Sequence, residues 1–408
     1  MSIELDSART TRDYQASDAA HHIHAFVDQK ALNEEGPRVM VRGDRLSLWD
    51  NDGQRYLDGM SGLWCTNLGY GRKDLAAAAS AQLEQLPYYN MFFHTTHPAV
   101  IELSELLFSL LPAHYSHAIY TNSGSEANEV LIRTVRKFWQ VMGKPEKKVM
   151  IGRWNGYHGS TLAATALGGM KFMHEMGGTI PDVAHIDEPY WFAHEGDLTP
   201  EEFGLRAARQ LEDKILELGA DKVAAFVAEP FQGAGGMIIP PQTYWPEIQR
   251  ICRKYDVLLC ADEVIGGFGR TGEWFAHEAL GFEPDTLSIA KGLTSGYIPM
   301  GGLILSRRMA EALVEKGGVF AHGLTYSGHP VAALQFAEDK ATRKRFVNEN
   351  DIAWRCRTIG FEEGIIIRST LGRMIMAPAL VATRAELDEL VDKTRIAVDR
   401  TAREYGRL

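Results

Sequence analysis

Apolar positions along the chain fall into two alternating textures. From about residue 73 onward, stretches in which apolar residues recur every three or four positions predict amphipathic helices over 74–85, 99–110 and 125–141. Between and beyond them lie short apolar runs bounded by turn or charged residues, at 117–121, 149–152, 223–229, 257–262, 286–291 and 302–306. Such runs read as strands buried on both faces. Two further helices are predicted over 200–218 and 242–255, the first opened by Thr199-Pro200-Glu201-Glu202, and a last one over 384–405. Strands alternating with helices predict an α/β fold, a mostly parallel sheet covered on both faces. Residues 37–59 differ: 38–42 and 46–49 read as strands of a small meander, with Gly43 and Asp52-Gly53 as turns. The chain shows no internal repeat and no low-complexity tract.

With 408 residues, 45% of them apolar, the chain suffices for two or three domains, or a large domain with a smaller one. The net charge of −10 argues against nucleic-acid binding. No apolar run approaches the ~18 residues of a membrane helix, and the first twenty residues lack the apolar stretch of a signal peptide. The four cysteines (Cys65, Cys252, Cys260, Cys356) form no C-x-x-C pair. A soluble protein of the reducing cytoplasm, without a membrane or nucleic-acid partner, is expected. Histidines cluster at 21, 22 and 24, at 94 and 97, and at 114 and 117; without an H-E-x-x-H motif they read as packing or surface residues, and no metal is expected.

Two of the predicted strands end on charged residues. The run 257–262 ends on Asp262, and 286–291 ends on Lys291 against Gly292. Alone, a lysine there reads as a solvated charge and an aspartate as the cap of the next helix. Together they would lie along one rim of a parallel sheet, where open α/β sheets bind ligands. A lysine with an acidic partner at such a rim is what pyridoxal phosphate chemistry requires. The amine bonds to the aldehyde, and the carboxylate keeps the pyridine nitrogen protonated.

Other segments reach the same rim. Thr121-Asn122-Ser123-Gly124-Ser125-Glu126-Ala127-Asn128 follows a strand and opens a helix, a phosphate cradle without a lysine or, more plainly, a serine N-cap. Trp154-Asn155-Gly156-Tyr157-His158-Gly159-Ser160 puts aromatics after the next strand, and the run 223–229 ends on Glu229. Gly267-Phe268-Gly269-Arg270-Thr271-Gly272 matches G-x-G-x-x-G, but Glu263-Val264-Ile265 separates it from its strand and no helix clearly opens after it, so it is not read as a dinucleotide site.

Taken together, these motifs resemble the class III aminotransferases of fold type I, and within them the pyruvate-dependent amine (omega) transaminases. The matching stretches also include Gly62-Leu63-Trp64-Cys65, Ala228-Glu229-Pro230, Ala290 to Gly302 and His322 to Pro330, in family order across nearly the whole chain. The resemblance implies a large domain with a seven-stranded, mostly parallel sheet over 73–330. A smaller α+β domain would be built from both chain ends, 1–72 and 331–408. It implies pyridoxal 5'-phosphate as cofactor, bonded covalently to Lys291, with Asp262 on the ring nitrogen. Tyr157 and Val264 would cover the two ring faces, His158 and Glu229 would border the cofactor, and Ser123, Gly124 and Ser125 would hold its phosphate. Thr325 and the Leu324 backbone would reach the phosphate of a neighbouring subunit, so a homodimer with shared active sites is implied; a tetramer of such dimers stays open. Trp64, Tyr157 and the neighbour's Phe92 would line the substrate pocket. Arg368 matches a mobile arginine that binds a carboxylate and swings aside for a plain amine.

The implied reaction moves an amino group from a primary amine (an omega-amino acid, a diamine or an arylalkylamine) to pyruvate. A different pyridoxal phosphate reaction on this fold, such as an aminomutase, stays open. After His329-Pro330-Val331-Ala332-Ala333 the resemblance breaks: about fifty residues that the family carries are absent near 333–334, far more than a loop trim. Either the segment was omitted or it was deleted, and a true deletion would allow a catalytically impaired cofactor-binding homologue.

Overall fold

Strand boundaries follow the apolar runs closely. The computed structural model describes residues 9–193, 196–334, 349–370 and 373–404. Near the N-terminus β1 (Met40–Asp44), β2 (Ser47–Asp50) and β3 (Arg55–Asp58) form an antiparallel meander. The large sheet comprises β4 (Tyr115–Thr121), β5 (Val149–Arg153), β6 (Val183–Ile186), β7 (Val223–Ala228), β8 (Leu258–Asp262), β9 (Thr286–Ile289) and β10 (Gly301–Ser306). Towards the C-terminus come β11 (Ile365–Ile366), β12 (Arg368–Thr370) and β13 (Arg373–Ile375).

The large sheet runs β4-β10-β9-β8-β7-β5-β6. Five strands, β6 through β9 with β5, pair in parallel, whereas β10 is antiparallel to both β9 and β4. The reversal has a simple cause. A parallel return needs a crossover of a dozen or more residues, usually a helix; β9 and β10 are joined only by the 3-10 turn Lys291–Thr294 and a short loop.

Both faces of the sheet are covered, which explains why its strands are continuously apolar. Phe226, Ala228, Leu259 and Ala261 enter one core cluster; Ala225, Val227, Leu258 and Cys260 enter another. Successive side chains of a strand point to opposite faces, so the two clusters are the two sides. The helices Pro200–Leu218 and Tyr244–Tyr255 pack Phe203, Leu211, Ile248 and Ile251 on the first face. Gly124–Val141 packs Val130, Leu131, Val135 and Phe138 on the second. Each such buried side chain contributes about 1.5–3 kcal/mol of transfer free energy.

The helix start read at Thr199 is a reciprocal cap: Glu202 N–H donates to Thr199 Oγ1 at 3.2 Å, and Thr199 N–H donates to Glu202 Oε2 at 3.0 Å. The pattern did not reveal β6, a half-buried edge strand that carries His185 and so breaks the apolar run. It also gave no helices for Thr11–His21 and Gln29–Glu35, which bury no side chain and therefore have no apolar stripe.

The chain's two ends share one sheet, because β11 pairs in parallel with β3, Ile365 opposite Leu57. A 3-10 turn, Ala332–Leu334, runs through the point where the family resemblance breaks, and residues 335–348 lie outside the described residues. Among the described residues, no helix is long and apolar enough to cross a membrane.

Candidate active site

The parallel strands β7, β8 and β9 lie side by side, with Ala228 opposite Ala261 and Asp262 opposite Ser288. Their carboxyl ends therefore deliver Glu229, Asp262 and Lys291 to one rim. There a cavity of about 280 Å³ is lined by all three, together with Ser123, Gly124, Ser125, Tyr157, His158 and Val264.

Lys291 starts the 3-10 turn after β9 with φ of +48°. Burial lowers its pKa to about 8, against the opposing pull of the Asp262 and Glu229 carboxylates; Arg368 adds a small push downward. Asp262 is buried and accepts three hydrogen bonds. Asn128 Nδ2 and His158 Nδ1 donate to Oδ2 at 2.8 and 2.7 Å, and Val264 N–H donates to Oδ1 at 3.1 Å. Asn128 is itself fixed, donating to the His158 carbonyl at 2.7 Å and accepting from Ser288 Oγ at 2.8 Å. Glu229 accepts from the N–H groups of Tyr157 (3.0 Å) and Gly233 (2.8 Å), and burial pushes its pKa up.

At the other wall, Ser123 caps the helix Gly124–Val141, its Oγ accepting from Glu126 N–H at 3.2 Å. The plain N-cap reading holds. The cap fixes the first turn, whose amide groups have no partner within the helix, and that turn lines the cavity. A Cβ on Gly124 would lie 2.9 Å from Val264 Cγ2, so only glycine keeps this wall open. Behind it, Ser160 N–H donates to Ser125 Oγ at 3.1 Å, tying the Tyr157 loop to the cradle.

Lys291, Trp64 and Arg368 form a row. The Trp64 ring lies 5.3 Å from Lys291 Nζ and 4.7 Å from Arg368 Cζ. Burial lowers the pKa of Arg368. Phe26 approaches the Tyr157 ring edge-on, with centroids 6.5 Å apart.

Comparison with known proteins identifies the family. The family model for aminotransferase class-III matches residues 30–345. The chain belongs to the class III aminotransferases. The putrescine–pyruvate aminotransferase of Pseudomonas aeruginosa is 45% identical over 454 aligned positions, which cover 98% of this chain and 99% of that protein. That alignment is longer than the 408 residues of this chain, so the relative carries positions with no counterpart here. Among solved structures, an (S)-enantioselective omega-transaminase from Thermomicrobium roseum superposes with a TM-score of 0.90 at 36% identity, over 96% of this chain and 98% of its own. The omega-transaminase of Pseudomonas jessenii, solved in complex with PMP, gives 0.91 at 31% identity, over 96% and 99%.

Pyridoxal phosphate is the cofactor of this aminotransferase, and its cavity fits the group. A buried lysine stands beside an aspartate held by three donors, and a glycine-opened helix N-terminus offers amides to a phosphate. Three residues expected at the site lie elsewhere in their own chain. Phe92 sits under Gly323, where a Cβ would meet its Cζ at 2.6 Å, and the Thr325 carbonyl accepts from Tyr88 OH at 2.7 Å. With Leu324 they belong to the loops around residues 88–93 and 320–328, and none lines the cavity. The sequence reading missed Asn128 and Ser288, polar residues within a helix and a strand whose partners lie far along the chain. It also missed Phe26, for which an exposed aromatic gave no signal. The G-x-G-x-x-G match opens no helix before the short Ala276–Ala279.

Proposed function

We propose that the enzyme transfers an amino group from a primary amine (an omega-amino acid, a diamine or an arylalkylamine) to pyruvate, in two half-reactions sharing one site. One observation carries this reading: Lys291 and Asp262 line a single cavity, and Arg368 stands one indole ring beyond the lysine. The similarity to a putrescine–pyruvate aminotransferase supports pyruvate as acceptor.

When bound, pyridoxal phosphate supplies an aldehyde for amines and a protonated ring that takes up an electron pair. Ser123, Gly124 and Ser125 would hold its phosphate, Tyr157 and Val264 would enclose the ring, and His158 and Glu229 would border it. Asp262 would face the ring nitrogen, its carboxylate aimed by three donors. Lys291 Nζ, neutral more readily than an ordinary lysine, would be the amine that holds the aldehyde of the group and the base that carries a proton at the reacting carbons. Trp64 covers the approach to Lys291. Arg368 gives the keto acid a two-point carboxylate contact that a lysine would not reproduce.

In this reading residues 73–330 form the cofactor domain, and 1–72 with 331–408 form the smaller one. The Phe92, Leu324 and Thr325 loops serve a second copy, so the working unit is a cytoplasmic homodimer. The test separates the half-reactions. The cofactor-loaded enzyme given amine alone should release a carbonyl compound and accumulate the pyridoxamine form, and pyruvate should then restore the starting absorbance. A rearranged amine without carbonyl release would point to an aminomutase. No change at all would mark an impaired homologue.

A further inference from the structure

Away from the cavity, three side chains that the sequence leaves as surface residues converge. Asp18 lies near the end of the helix Thr11–His21, and His22 and His24 follow it. His22 Nδ1 is 3.1 Å from Asp18 Oδ1, and His24 Nε2 is 2.7 Å from Asp18 Oδ2, one carboxylate oxygen to each ring. All three ligand atoms lie within 4.8 Å of one another. The geometry points to a site for a borderline divalent transition-metal ion, zinc or nickel, held by His22, His24 and Asp18.

Two imidazoles and a carboxylate are the donor set such ions prefer. Ligands about 2.0–2.1 Å from a tetrahedral zinc stand about 3.3 Å apart, so the two His–Asp contacts would widen by a few tenths of an ångström and the imidazole nitrogens, within 4.8 Å, would settle around the ion. The ligating nitrogens would give up the N–H now facing Asp18, each proton moving to the other ring nitrogen, so the rings stay neutral. The backbone already fixes the ligands. His22 N–H donates to the Asp18 carbonyl at 2.9 Å, capping the helix, and His24 N–H donates to Gln29 Oε1 at 2.9 Å. His22 is mostly exposed and the other two partly so, which leaves room for water at the remaining positions. Two residues after His24, Phe26 contacts Tyr157 and Phe172 edge-on. The ion would therefore staple the turn that brings Phe26 to the substrate end.

The test is a zinc titration of chelator-treated, pyridoxal phosphate-loaded enzyme by calorimetry, comparing wild type with Asp18→Asn and His24→Ala. Wild type should show one site per chain, with affinity at least ~10-fold above either variant. Zinc should also slow amide exchange across residues 11–27 in wild type alone. Equal affinity and stoichiometry in all three proteins, or no saturable binding to wild type, would overturn the site. Both surface variants should keep the wild-type unfolding temperature, so lost binding reads as lost ligands.

Discussion

The two ends of the proposed site are built differently. The cofactor end comes from strand termini and one capped helix of the large sheet, and each key side chain is held by buried partners: Asp262 by three donors, Glu229 by two, Ser123 by its own helix. The proposed substrate end, beyond the residues that line the cavity, is assembled from remote pieces: Trp64 from the N-terminal region, Arg368 from β12, Phe26 from a surface turn. In the proposed reading the sheet fixes the chemistry, whereas choice of substrate rests on segments remote from it in sequence.

The largest effect that sharpens this contrast is at Lys291. Lys291→Ala should lower turnover by at least ~10²–10⁴-fold, the range of a positioned general base, in both half-reactions alike, while the fold persists by circular dichroism. Arg368→Ala should act unevenly. The loss of a charge-assisted pair, about 1.5–3 kcal/mol, should slow the pyruvate half-reaction by ~10–100-fold and the amine half-reaction by much less. Equal losses in single-turnover kinetics would erase the distinction between the two ends. Asn128→Ala removes one of three donors to Asp262 and should cost about 1 kcal/mol, read as a ~5-fold fall in kcat with KM for the amine little changed.

The smallest effect concerns pH. A lysine binds cofactor through its neutral amine, and burial lowers Lys291 to about 8 from 10.5. The neutral fraction therefore grows as pH rises towards 8 and saturates above it. Cofactor uptake by the apoenzyme, followed by imine absorbance, should pass its midpoint near pH 8 and level off above it; a midpoint near 10.5 would show an unperturbed lysine. Because the Asp262 carboxylate raises this pKa, Asp262→Asn should move the inflection lower.

Legibility in the sequence follows the same division. Lys291, Asp262 and Glu229 could be found because each ends or directly follows an apolar run, and a buried strand has a strong signature. The Ser123 helix start was legible from its small residues between strand and helix. Asn128 was not, since a polar residue in a helix shows its purpose only when Asp262, distant along the chain, is beside it. Phe26 and the Asp18–His22–His24 cluster sit in polar segments that bury nothing, so periodicity is silent there. The β10 reversal needed connection length rather than pattern. For Arg368, Phe92, Leu324 and Thr325 only family likeness offered a role, because the roles proposed for them lie across the cavity mouth or between copies.

The left-handed backbone at Lys291 carries its own lesson. A side-chain-bearing residue in that region gives up about 1–3 kcal/mol, and glycine would sit there at ease. Engineers seeking a hardier scaffold will find that position tempting: a glycine should tolerate heat better and be inert, marking where natural selection preferred a reactive nitrogen to a relaxed polypeptide.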